Sequence, residues 1–223
     1  MSTAASIKLS IERPPQRVIE GFKGLATTAL ADFLTLESVM RGQIRPLWPD
    51  MPRVAGPAYT VRTARHDNLM LHAAIYHAEP GDVVVVEAGD DEMAVAGGNV
   101  CAVARRRGVA GFVIDGVIRD VAESRAIGFP LFASGLSPIP GGKDGPGDIG
   151  VPITCGGVRV NPGDVVVADQ EGIVVVARGR AEAILKDARA KAAKDAAESL
   201  DDWERRHRAR VESTLRARGY LGS

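Results

Sequence analysis

The chain has 223 residues, 45% of them hydrophobic, which is enough for one well-buried α/β domain and gives no reason to expect two. Lys plus Arg and Asp plus Glu number 28 each, so no global field draws the protein to nucleic acid or to an anionic membrane. Cys101 and Cys155 form no CxxC pair, which excludes a disulfide framework and a zinc knuckle and reads as two small buried residues in a reducing compartment.

No basic segment followed by an apolar run opens the chain, and no stretch is apolar over the length of a bilayer, so a cytoplasmic protein is expected. Met1 to Arg13 alternate weakly and read as an arm or edge strand leading to a helix that starts near Pro15. Thr27 to Val39, TTALADFLTLESV, has apolar residues at helical spacing with Thr27 or Thr28 as cap, and Asp32 within it reads as structural. VAGPAYTVRTA, from Val54 to Ala64, reads as a strand broken at Gly56-Pro57. In the next helix Leu69, His72, Ala73 and Tyr76 form one amphipathic face. His72 and His77 are five apart, not the four that lets two histidines share a metal on one helix face. Glu79-Pro80-Gly81-Asp82 and Asn161-Pro162-Gly163-Asp164 are matching turns, each before a buried valine strand.

The centre of the chain is Gly97 to Asp120, GGNVCAVARRRGVAGFVIDGVIRD. A glycine pair opens a short helix with a bare N-terminus that stops at Gly108, and Arg105, Arg106 and Arg107 form its solvated face. GFVIDG is a glycine-bounded apolar run, the pattern of a buried strand in a parallel or mixed sheet. It leads to Arg119-Asp120. The stretch thus supplies free amides at a helix start, a guanidinium that can fork onto a carboxylate, and a carboxylate able to hold a hard cation. The alternative is a tight turn at Gly97-Gly98 and an Asp120 that caps the helix DVAESRAIG.

A βαβ rhythm continues through that helix and the strand PLFASG. Leu136 to Asp148 is a Pro- and Gly-rich loop that covers a site or simply connects, and it lacks the spacing of a phosphate-binding loop. Strands at VPITC, VRV, DVVVAD and IVVVA make the second half β-rich, which predicts a mixed sheet. From Arg178 onward, Ile184, Ala188, Ala192, Ala196, Leu200, Trp203, His207, Val211 and Leu215 trace one helical stripe.

The central block, together with DNLMLHAAIYHAEPGDVVVVEAG and VPITCGGVRVNPGDVVVADQEGIVVV, resembles the family of class II 4-hydroxy-4-methyl-2-oxoglutarate aldolases and regulators of ribonuclease activity A, the RraA-like family. The resemblance implies a single α/β domain over residues 1–177, with mixed β-sheets flanked by helices in the swivelling β/β/α manner. It also implies a helical tail over residues 178–223 that packs on its own or a neighbouring subunit, in a homotrimer or a hexamer. The implied activity is a metal-dependent lyase acting on a small oxo-acid that yields pyruvate, by aldol cleavage or oxaloacetate decarboxylation. Asp120 would bind Mg2+ or Mn2+. Arg119 would pair with the substrate carboxylate and steady the enolate, and the amides of Gly98, Asn99, Val100 and Cys101 would hold carboxylate oxygens. The lysines fit this division, since Lys8, Lys23, Lys143, Lys186, Lys191 and Lys194 all lie outside the apolar strands that could turn one into a Schiff base.

The chain departs from the aldolases at one position. They carry an acid twenty-one residues before the motif arginine, where this chain has Gly98. Asp90, Asp91 and Glu92, or Asp195 and Glu198 from a neighbouring tail, are candidate replacements. The missing acid also leaves open a lyase with a different oxo-acid substrate, or a non-catalytic regulator that binds a ribonuclease.

Overall fold

Valine runs build the frame. In the computed structural model, which describes residues 6–220, β2 (Val54–Arg62), β3 (Val83–Glu87), β4 (Gly111–Ile118) and β5 (Leu131–Leu136) lie parallel and side by side in that order. Beyond β2 come β9 (Val165–Asp169) and β10 (Gly172–Val176), each antiparallel to the strand before it, and β1 (Arg45–Pro46) edges the far side against β5. β6 (Asp148–Ile149) adds to β2, while β7 (Ile153–Cys155) and β8 (Val158–Val160) form a separate hairpin. The result is an α/β fold with a mixed, nearly closed sheet flanked by helices and extended by two C-terminal helices, α6 (Ala181–Ala197) and α7 (Leu200–Ala217).

Both faces of the sheet are covered, which the unbroken valine runs require. Along β9, Val165 and Val167 face one core with Val18, Phe22, Ile184 and Leu185, while Val166 and Ala168 face the other with Phe112, Ile114 and Phe132. The first core is capped by α1 (Gln16–Lys23), α2 (Thr27–Ala31) and α6, and the second is covered by α3 (Leu69–Ala74) and α4 (Gly98–Arg106).

β2 is continuous where the sequence predicts a break. Gly56-Pro57 marks a change of partner: Val54 to Pro57 pair with β9, and Ala58 to Arg62 pair with β3. Gly56 is needed because a methyl group there would overlap the carbonyl oxygen of Gly81. The predicted helix over Thr27 to Val39 shrinks to α2 and a single 3-10 turn at Leu36–Ser38, because Val39 must be extended to bridge Val174 of β10. Neither threonine caps α2. Ala26 holds that position, and Thr27 instead donates its hydroxyl to Asp169 Oδ1 at 2.6 Å and its amide to Oδ2 at 3.0 Å.

On α3 the buried face is Met70, Leu71 and Ala74, with Ile75 following, and not the predicted face that ends in exposed Tyr76. Arg107 is anchored and not simply solvated, since its guanidinium donates to the carbonyls of Ile75 and Tyr76 at 2.8 and 2.6 Å. The tail stripe is broken. Ser199 caps α7 by accepting the Asp202 amide, and only Ile184 and Ala188 of the stripe are buried. Of the arm, Ile7 bridges Ile149 and Arg13 forks onto Asp82 at 2.7 and 2.9 Å, while Met1 to Ala5 lie outside the described residues. Both cysteines are free and buried.

Candidate functional site

Strand β4 ends at Ile118, and the next two residues leave the sheet at the carboxyl end of its parallel strands, where α/β sheets open a crevice. The Arg119 amide donates to the Ala96 carbonyl at 3.0 Å, which lays the start of α4 alongside. Asp120 is left-handed, with φ of 58°, a conformation that a short polar side chain tolerates. It stands just before α5 (Val121–Ala126), yet its side chain makes no cap bond there. It turns across to α4 instead, where Oδ2 accepts the Gly98 amide at 3.1 Å and lies 3.4 Å from Arg119 Nε. The simple capping alternative is therefore not what the side chain does.

The two glycines make this approach possible. A methyl group on Gly97 would stand 2.6 Å from Asp120 Oδ2 and 3.1 Å from Arg119 Cγ. One on Gly98 would overlap the carboxylate of Glu123, with Glu123 Cδ at 2.8 Å. Of the four amides from Gly98 to Cys101, that of Gly98 goes to Asp120 and that of Cys101 to the Gly97 carbonyl. Asn99 and Val100 are left to receive a ligand at the positive end of α4. Burial, with a smaller push from the nearby Asp120 charge, raises the Cys101 thiol to about 11, so it stays protonated and is no nucleophile.

Arg119, Asp120, Asn99 and Val100 face a cavity of about 80 Å³ that also takes in Asn68, His72 and Lys143. These last three are new to the site. Asn68 is buried and donates Nδ2 to the Gly141 carbonyl at 3.0 Å, and among the described residues its Oδ1 has no hydrogen-bond partner. The Gly-rich loop brings Lys143 and Pro140 to the cavity, pinned by Asp67, whose Oδ2 accepts the amides of Asp144 and Gly145 at 2.9 and 2.8 Å. Burial, and after it the Lys143 charge, pushes the His72 imidazole down, so it is neutral at pH 7. The one sequence signal for any of these is that Lys143 is the sole lysine between Lys23 and Lys186.

Asp90, Asp91 and Glu92, the candidate substitutes from within the chain for an acid at position 98, are not brought here. Asp90 accepts the amides of His66, Glu92 and Met93, and Glu92 pairs with His66. Asp195 pairs with Lys191 and Glu198 with Arg206, and neither these nor Asp91 lines the cavity. Among the described residues no three His, Cys, Asp or Glu side chains gather into a metal cage. What the arrangement offers is one half-exposed carboxylate, two cations, two helix-start amides and a buried amide oxygen, a set suited to a small anion beside a hydrated hard cation.

Fold and site together define an RraA-like protein: residues 27–175 match the RraA-like family, Aldolase/RraA, and the chain belongs to it. A protein of Halalkalibacterium halodurans described as a candidate 4-hydroxy-4-methyl-2-oxoglutarate aldolase is 41% identical over 204 residues, covering 91% of this chain and 93% of its own. A second such candidate aldolase, from Burkholderia multivorans, is 36% identical over 159 residues, 68% of this chain and 96% of its own. The crystal structure of Streptomyces coelicolor RraAS2, an unusual member of the RNase ES inhibitor RraA family, superposes with a TM-score of 0.72 at 30% identity, over 89% of this chain and 99% of that one. No helix among the described residues is long and apolar enough to cross a membrane.

Proposed function

We propose that this chain is a divalent-metal-dependent carbon–carbon lyase that releases pyruvate from a small oxo-acid. The reaction is aldol cleavage of a substrate of the 4-hydroxy-4-methyl-2-oxoglutarate type, decarboxylation of oxaloacetate, or both. The observation that carries this reading is the Asp120 carboxylate, held at the carboxyl end of β4 by the Gly98 amide and flanked by Arg119 at the wall of the cavity.

The donor set fits Mg2+ or Mn2+. Asp120 commits Oδ2 to the protein and keeps Oδ1 for a cation, and a single direct carboxylate suits an ion that retains several waters. Bound there, the cation supplies a Lewis acid beside the oxo group. The protein's own groups do the rest. The Arg119 guanidinium pairs with the substrate carboxylate and offsets the negative charge that grows on the oxo oxygen as the carbon–carbon bond breaks. The Asn99 and Val100 amides hold the carboxylate oxygens. Lys143 adds a second positive charge, neutral His72 can carry a proton, and Asn68 Oδ1 offers an acceptor to a substrate hydroxyl or a water. The assembly expected with this activity is a homotrimer or hexamer with α7 against a neighbouring subunit, a reading supported by the fact that α7 buries none of its residues.

The test is pyruvate release from 4-hydroxy-4-methyl-2-oxoglutarate and from oxaloacetate, with Mg2+ and with chelator, in wild type and Asp120→Ala. Turnover that chelator abolishes and the variant lacks is the expected result. Mg2+ binding without turnover on either acid would assign the site to another oxo-acid. Loss of both would favour a ribonuclease-binding role, the reading that the likeness to RraAS2 supports.

A further inference from the structure

We infer that Asp67 is a positioning residue of this site: without lining the cavity, it fixes the Gly-rich loop as a rigid wall and so sets where the Lys143 charge stands. The inference rests on the reading of the cavity as the substrate site. Asp67 immediately precedes Asn68 and α3, and its Oδ1 accepts the Leu69 amide at 2.8 Å, the local turn by which an aspartate starts a helix. Its other oxygen leaves that turn and takes the Asp144 and Gly145 amides at 2.9 and 2.8 Å. The residue is 4% exposed, and among the described residues its carboxylate has no ion pair, so its charge is met by amides alone. A buried carboxylate is costly to leave without partners, which makes these bonds expensive to open.

Lys143 stands inside the segment so clipped. On one side of it, Gly142 donates its amide to the His66 carbonyl at 2.7 Å and accepts the Asn68 amide at 2.9 Å. The loop's other edge is tied to Ala94, which donates to the Ile139 carbonyl at 2.7 Å and accepts the Gly141 amide at 3.0 Å. Bonded on both edges, the loop is a wall of the cavity and not a lid over it. Gly145 is what lets the carboxylate come so close, since a methyl group there would stand 2.8 Å from Asp67 Cγ and 2.9 Å from Ala64 Cβ. The Asp67 charge also reaches the cavity. At His72, burial and then Lys143 lower the imidazole, and Asp67 opposes the lysine. Asp67 thus holds the lysine by its backbone neighbours and partly offsets its charge.

The test combines amide hydrogen exchange over residues 139–145 with the kinetics of pyruvate release from oxaloacetate in the presence of Mg2+, both on the full chain. Asp67→Ser keeps the turn that starts α3 but cannot reach the loop, and Gly145→Ala forces loop and carboxylate apart from the other side. Both variants should exchange faster than wild type across the loop and raise KM by about tenfold or more, with kcat changing far less, the pattern of lost binding and not of lost chemistry. In a Lys143→Met background, where KM is already raised, Asp67→Ser should add no more than about twofold, because both changes remove the same contact. A general loss of stability would not produce that non-additivity. Faster exchange with an unchanged KM, a full further increase in the Lys143→Met background, or a wild-type loop that exchanges as fast as that of the variants would overturn the role of Asp67 and leave the proposed reaction standing. Wild type that releases no pyruvate although its loop is protected would overturn the reading of the cavity, and this inference with it.

Discussion

Replacing Asp120 with Asn separates what this residue does for the fold from what it does for a ligand. The carboxylate is 37% exposed and Arg119 is 42% exposed, so their pair at 3.4 Å contributes no more than about 1 kcal/mol once solvent screening is counted. An asparagine oxygen can still accept the Gly98 amide, and asparagine tolerates the left-handed backbone at this position. The ligand-free melting temperature should therefore fall by no more than roughly 2–4 °C, the shift that about 1 kcal/mol produces in a domain of this size. Magnesium changes the comparison. At a hundred times its dissociation constant, a ligand that binds only the native state adds about 2.7 kcal/mol, or roughly 5–11 °C. Thermal scans with Mg2+ and with chelator should show that increment in wild type and none in Asp120→Asn. An equal increment in both proteins would refute the assignment of Asp120 as the ligand.

Two further predictions concern the frame. Gly56→Ala puts a methyl group into the Gly81 carbonyl oxygen and 3.1 Å from Val83 Cγ2, and backbone cannot swing aside, so the variant should lose about 1–3 kcal/mol, read as a lower urea midpoint at unchanged slope. Thr27→Val removes a hydroxyl bonded to a buried carboxylate and should cost about 1.5–3 kcal/mol at neutral pH. Burial alone would raise the Asp169 carboxyl, but the Thr27 hydroxyl and amide, the Glu171 amide and Arg53 outweigh it and hold the group below the usual carboxylate range. A depressed native value stabilises above the unfolded value near ~3.9 and is lost as pH falls through the native one, so the difference between the two proteins should be full at neutral pH and close in acid. A difference that does not vary with pH would count against this account.

Much of the frame is legible because β3, β9 and β10 are valine runs and β4 is an apolar run, bounded by glycine or aspartate turns, and such runs have few alternatives to a sheet buried on both faces. Arg119-Asp120 is legible because it closes one of those runs. The rest depends on packing that no local pattern contains. Gly56-Pro57 reads as a break until two different partners are in place on either side of it. The stretch Leu69 to Ile75 is apolar nearly all round, so two faces satisfy the same periodicity and only the sheet beneath chooses Met70, Leu71 and Ala74. Asn68 and Lys143 meet because Asp67 ties a distant loop to the start of α3, and Glu123 meets Gly98 because α5 folds back on α4. The tail stripe runs unbroken in sequence, yet the serine cap at Ser199 starts a new helix within it.

The divided loyalty of β2 also bears on how the molecule is made. Its second half can pair with β3 as soon as the turn at Glu79-Pro80-Gly81-Asp82 has formed, but its first half waits for β9. On a ribosome that adds residues one at a time, Val54 to Pro57 would remain an open strand edge while roughly a hundred further residues are synthesised, the interval in which unpaired edges invite wrong partners. The proline in that segment, which has no amide hydrogen to offer an intruding strand, is well placed to keep the edge unattractive until the C-terminal half arrives.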